Sequence, residues 1–485
     1  MSKQSEAPLF SKLIEHINQQ PIQFHIPGHK QGNGVDPAFR DFIGKNAFQL
    51  DLINISPLDN LHHPNHAIKQ AQELAAKAFR ADYSLFSVQG TTTAIMTMLL
   101  AVCSPGDKII LPRNIHKSVL SALILADARP IFIQPEIDQE LMITHNITTE
   151  QVKAAIHQHP DSKALFVIHP TYYGAASKLE AIVSLAHQYS IPVLADEAHG
   201  ILQTFHEKLP ISAMDAGVDM AATSVHKLGG SLTQSSILNL KGKRVDFHQV
   251  QTIFNMLTTT STSYLLLASL DTQRRHLALH GRQLTEQTIK LAQEARSQIN
   301  QIPGLYCPGD ELFSHSSVYE LDPTKLIIHL AQLNISGFDA ETWLRKHYQI
   351  EVEFSDFYNL LCLITIGDRE DSIQKLIAAL NDLSATFYQK DVQKTKPIHL
   401  PPLPELVMTP REAFYHAAIT SLPLEQANHL ICADPITIYP PGIPVLLPGE
   451  RISRDHIDYI QENLAANSLV QGLLDPTTQS IRVIR

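Results

Sequence analysis

The sequence predicts an α/β protein: a mostly parallel seven-stranded sheet flanked by helices, followed by a smaller α+β domain and a C-terminal domain. Three observations carry this. Between residues 83 and 240, short apolar β-rich runs alternate with longer amphipathic ones, as strands and their covering helices do. Hydrophobic residues make up 44% and charged residues 18%, lean against the usual quarter, which argues against disorder. The 485 residues are about three times the ~150-residue domain expectation, and at that size roughly three quarters of the unfolded surface can be buried without a disulfide or metal.

The elements follow in order. A helix is expected at 67–80 (AIKQAQELAAKAFR), entered through the Pro64-Asn65 turn. Strands are expected at 83–88, 108–111, 130–133, 164–169, 193–196, 220–223 and 237–240, with helices near 92–102, 115–126, 149–158 and 179–189. In the second of these, Val119, Leu123 and Ala126 recur at helical spacing and would pack on the sheet. Residues 249–302 read as mainly helical, closed by Pro303-Gly304. Apolar runs at 325–330 and 360–366 and a helix at 371–383 form the smaller unit. The division is therefore 1–66, an N-terminal segment; 67–302, a large α/β domain; 303–389, a small α+β domain; 390–404, a proline-rich linker; and 405–485, a C-terminal domain.

The formal charge is −10, and basic residues gather only in short pieces such as Lys241, Lys243 and Arg244. That excludes the electrostatic footprint of a nucleic-acid or anionic-membrane binder. Cys103, Cys307, Cys362 and Cys432 are scattered without a CxxC pair and read as reduced thiols of a cytoplasmic protein. The polar N-terminus lacks a signal-like apolar region, and the longest apolar stretch, near 94–103, is too short to span a bilayer.

Four motifs carry chemistry. SVHKLGG at 224–230 puts Lys227 just beyond a strand end, where open α/β sheets bind ligands. A partly desolvated amine there could condense with an aldehyde cofactor, although a surface lysine on a glycine loop fits the same residues. VLADEAHG at 193–200 puts Asp196 at another strand end, 31 residues upstream. A carboxylate there could keep a pyridine nitrogen protonated, whereas a lone aspartate could merely cap the next segment. In SVQGTTTA at 87–94 a strand end, a glycine and hydroxyls lead into a helix, an arrangement suited to an anion or to a simple N-cap. It lacks the spacing of ATP and dinucleotide loops. In RNIHKS at 113–118, His116 suits ring stacking or an ordinary loop. LHHPNHAIK at 61–69 holds three histidines, but without regular helical placement or a carboxylate cluster it reads as a loop, and no metal is expected.

Taken together, FHIPGHKQG at 24–32, LDNLHHP at 58–64, VQGTTTA at 88–94, PRNIHKS at 112–118, DEAHG at 196–200, SVHKLGGSLTQSS at 224–236 and YPPGIPVLLPGE at 439–450 resemble the Orn/Lys/Arg decarboxylases, a family of fold type I pyridoxal-phosphate enzymes. The motifs run in family order over nearly the whole chain. Within the family the likeness is greatest to the shorter bacterial arginine decarboxylases that feed spermidine synthesis; the chain has no room for the N-terminal receiver-like domain of the long acid-induced enzymes, which argues against their large decamer.

The resemblance implies pyridoxal 5'-phosphate as cofactor, joined to Lys227, with Asp196 on its ring nitrogen and His116 stacked on the ring. It implies Thr91, Thr92, Ser224 and His226 near the phosphate, His226 also serving catalysis, and His199 near the cofactor where the long enzymes carry an aromatic residue. Thr258-Thr259-Thr260-Ser261 is similar to a segment that reaches the neighbouring subunit's phosphate. The implied unit is a homodimer with its active site at the interface, to which 1–66 contributes; a higher oligomer stays open. His25, His29 and Lys30 would shape the interface or the substrate entrance. The implied reaction is decarboxylation of L-arginine to agmatine and CO₂ for polyamine synthesis, with lysine or ornithine as alternative substrates. The same lysine and aspartate would serve an aminotransferase or a carbon–carbon lyase. A non-catalytic regulator would be expected to have lost one of them. Asp59, Asp356, Glu412 and Glu450 are the candidate acids for the substrate's cationic end.

Overall fold

The structure is a computed structural model and describes residues 3–330, 332–391, 400–439, 442–465, 468–474 and 480–485. All seven expected strands form one sheet: β1 (Tyr83–Ser87), β2 (Lys108–Pro112), β3 (Arg129–Ile133), β4 (Ala164–Ile168), β5 (Val193–Asp196), β6 (Met220–Ser224) and β7 (Ser236–Leu240). Their hydrogen-bonded order is β1-β7-β6-β5-β4-β2-β3. β2 runs parallel to β3 and β4, whereas β7 is antiparallel to both β1 and β6. Every residue of β5, β6 and β7 is buried, which is why they read as unbroken apolar runs rather than as alternation.

The chain divides into two compact units, Met1–Ala101 with Ala195–Glu286 and Val102–Leu194 with Gln287–Arg485, the cut falling within β5. In the first unit, helix Ala67–Ala78 buries Ile68, Ala71, Leu74 and Ala75 and packs on β1. Its start is organised by Asp59, whose carboxylate accepts the amides of Asn60, Asn65, His66, Ile68 and Lys69 at 2.8–3.3 Å. The unit also holds helix Pro8–Asn18, which buries Leu9 and Leu13. The amides of Leu9 and Phe10 donate to Asp271 Oδ2, and Arg274 donates to Asp271 Oδ1 at 2.7 Å and to the carbonyls of Gln4 and Glu6. Helix Tyr264–Ile299, which carries this pair, thereby satisfies amides that a helix N-terminus leaves open.

In the second unit, helix Thr149–Gln158 opens with a Thr148/Gln151 capping box and packs on β3 and on helix Leu179–Gln188. The expected α+β portion is the sheet Lys325–His329, Asn359–Leu363, Phe354–Ser355 with helices Gly337–Tyr348 and Glu370–Phe387, around a core that includes Leu326, Ile328, Leu344, Leu360 and Leu380. Beyond it lie two further three-stranded sheets and helix Arg454–Ala465, with Ile436, Ile438, Leu446, Ile457 and Ile481 in their core. Of the expected linker, 392–399 lies outside the described residues. All four cysteines are buried and free of disulfides. No helix among the described residues is long and apolar enough to cross a membrane.

Candidate active site

The first unit gathers most of the expected residues at one set of strand ends. Ser236, the first residue of β7, stands opposite Ser224 on β6 and opposite Ser87 on β1. Gly90 then turns the chain out of β1 with φ +74, a left-handed conformation that a side chain would strain, and opens helix Gly90–Val102. The turn brings Thr91 Oγ1 to Ser224 Oγ and, at 2.9 Å, to Ser236 Oγ. All three residues are buried. The result is a cluster of three hydroxyls at the N-terminus of a thirteen-residue helix. Thr92 lies exposed in the same first turn.

Ser224 leads into a single helical turn, Val225–Leu228, that carries His226 and Lys227, both half-buried. Lys227 Nζ lies 2.8 Å from His199 Nε2. His226 turns back to its own loop, with Nδ1 2.8 Å from the carbonyl of Ser235. Asp196 closes β5, and its Oδ1 accepts the amide of Ala198 at 3.0 Å. A Cβ on Gly200 would press on Glu197 and Gln203 at 2.5 Å, so only glycine fits that turn without a shift. His116 belongs to the second unit: it is exposed, caps helix Lys117–Ala126, and its Nδ1 lies 2.7 Å from Ser118 Oγ.

Two buried groups of this region are absent from the sequence reading. Ser236 lies in the quoted SLTQSS run, yet its meeting with Thr91 depends on the β1–β7–β6 register. Glu197 accepts the amide of Ala213 at 2.7 Å and the hydroxyl of Thr223 at 2.8 Å. Burial is the main cause that raises its pKa to about 7, with the charges of Asp215 and Asp196 acting the same way against those two hydrogen bonds.

The four acids considered for the substrate's cation are committed elsewhere. Asp59 is spent on five amides. Asp356 is fully buried on Asn359 and the amide of Tyr358, and burial raises its pKa to about 6. Glu412 completes a capping box with Thr409. Glu450 forms a buried bidentate pair with Arg113, each 1% exposed. His62, of the histidine-rich loop, lies 3.1 Å through Nε2 from the carbonyl of Thr259. Of the Thr258–Ser261 run, Thr258 donates to Phe254 and the amide of Thr259 donates to Gln89.

Residues 7–372 match the major domain of the Orn/Lys/Arg decarboxylases and residues 392–476 match their C-terminal domain. The chain is 56% identical over 483 residues to an arginine decarboxylase of Bacillus anthracis, covering 99% of this chain and 98% of the relative. It is 55% identical over 484 residues to an arginine decarboxylase of Bacillus subtilis, with the same coverage. Among solved structures, the lysine decarboxylase of Francisella novicida shares the fold at a TM-score of 0.84 and 24% identity, over 99% of this chain and 81% of that one. On the two matched domains and these relatives, the chain belongs to the Orn/Lys/Arg decarboxylase family.

Proposed function

We propose that the protein decarboxylates L-arginine to agmatine and CO₂, with pyridoxal phosphate held by its first unit and with the product entering polyamine synthesis. The observation that carries this reading is the pairing of Lys227 Nζ with His199 Nε2 beside the buried hydroxyls of Thr91, Ser224 and Ser236. The identity of more than half to arginine decarboxylases over nearly the full chain favours arginine over lysine, whose decarboxylase in Francisella shares 24%.

The residues fit the cofactor. Three convergent hydroxyls at a helix N-terminus suit a phosphate, because donors and the helix dipole both favour an anion there. Thr92 and His226 would complete that end. Lys227 would join the aldehyde carbon, and Asp196 would hold a proton on the ring nitrogen. When bound, pyridoxal phosphate supplies a protonated ring that takes up the electron pair left on Cα as carbon dioxide departs. Lys227 and His199 share a hydrogen bond, so a proton can pass between them and reach Cα, where it replaces the carboxylate.

A homodimer belongs to the same proposal. Ile22, Phe24 and Phe42 of the N-terminal segment and Met256 are 78–95% exposed, apolar surface that a second copy would cover. Borohydride reduction of the loaded enzyme followed by peptide mass analysis tests the site: the phosphopyridoxyl mass should sit on Lys227. Lys227→Ala should release no CO₂ from arginine. A label on another lysine, or turnover by that variant, would overturn the assignment.

A further inference from the structure

We propose that the second unit contains a divalent metal site, of zinc-like preference, formed by Asp138, His145 and His315. The three offer ligand atoms within 4.8 Å of one another, and Asp138 and His145 are buried. Asp138 closes one strand of the short pair Ile137–Asp138 and Ile143–Thr144, His145 follows the other, and His315 follows the 3₁₀ turn Asp310–Ser314. No spacing rule would find them, since the third ligand lies 170 residues after the second.

The geometry is that of a prepared site. The amides of Glu140 and Leu141 both donate to Asp138 Oδ1 at 2.8 Å, which fixes the carboxylate. Its other oxygen, Oδ2, lies 3.3 Å from His145 Nε2 and 3.1 Å from His315 Nε2. Tetrahedral ligands bound at ~2.0–2.1 Å stand about 3.3 Å apart, which these two carboxylate–imidazole separations match. The two imidazoles are 4.4 Å apart and tilted by 51°, not stacked.

The surroundings add two further features. Glu136 Oε1 lies 2.9 Å from His315 Nδ1, the carboxylate–histidine arrangement that orients a metal-binding imidazole. His145 Nδ1, the ring nitrogen not facing Asp138, is buried with no hydrogen-bond partner among the described residues. Two imidazoles and one carboxylate form a borderline donor set, and the partly exposed side of His315 leaves room for water as a fourth ligand. The ion would clip the 137–144 hairpin to the start of the α+β portion, a structural role separate from the decarboxylation.

Holoenzyme stripped with a chelator and titrated with Zn²⁺, then with Co²⁺, tests this by elemental analysis and by the ligand-field absorption of bound cobalt. One ion per chain should bind beyond the number held by His145→Ala. His315→Gln, at a partly exposed position, should lose the cobalt spectrum. Glu136→Gln should weaken binding about 10- to 100-fold. Equal metal content in wild type and both histidine variants, or a wild type that binds no ion, would overturn the proposal. The arginine decarboxylase reading stands under either result.

Discussion

Glu197 shows at a single residue how the site's surroundings respond to pH. Its pKa of about 7, against an ordinary 4.5, means that the folded protein holds this proton more tightly than the unfolded chain does. Its contribution to stability is therefore full below pH 4.5, falls between 4.5 and about 7, and is constant above. Glu197→Gln removes the dependence, so the melting temperature of wild type minus that of the variant should decline across this window. A difference that is flat or rising with pH contradicts the assignment. Ser236→Ala should retain the fold but lose pyridoxal phosphate faster on dialysis, because one of three hydroxyls is gone. Cofactor retention equal to wild type would exclude Ser236 from the phosphate end. The strand-end placement of Lys227 and Asp196 was legible in the sequence because each stands at the end of an apolar strand. Ser236 and Glu197 were not, because their importance comes from which strands are neighbours. The failure of all four candidate acids has a related cause: Asp59 and Glu412 look like free carboxylates until the amides they cap are seen.

Among the elements, buried ion pairs tie distant pieces together. Arg113, in the turn after β2, holds Glu450 and also donates to the carbonyls of Pro444 and Val445. It thus anchors the C-terminal portion to the turn that carries His116. Glu450→Ala leaves a buried guanidinium without its partner and should cost about 3–5 kcal/mol, measured by chemical denaturation. Replacing both residues by leucine should cost less than the sum of the single changes. Additivity would mean that the two side chains act independently. The Asp271–Arg274 pair does the same for helix Pro8–Asn18, which lies in the N-terminal segment 1–66, where no helix is expected from the sequence. The seven strands were legible from apolar content alone, but the antiparallel direction of β7 was not, since hydrophobicity carries no sense of direction. The small C-terminal sheets escaped for another reason: strands such as Ile419–Pro423 and Leu469–Gln471 are half-buried or exposed and present no unbroken apolar run.

At the scale of the whole molecule, the proposed dimer explains apolar side chains that a monomer has no reason to display. Phe24→Asp with Phe42→Asp should shift sedimentation from dimer toward monomer and lower activity in parallel, provided the partner completes the site. Unchanged sedimentation would remove this segment from the interface. The reaction itself is tested most directly by offering the purified, pyridoxal-phosphate-loaded enzyme arginine, lysine and ornithine separately and measuring CO₂ together with the amine formed. One CO₂ and one agmatine should form per arginine, with kcat/KM for arginine well above that for the other two. Equal or greater release of cadaverine from lysine or putrescine from ornithine, or amine exchange without CO₂, would contradict it.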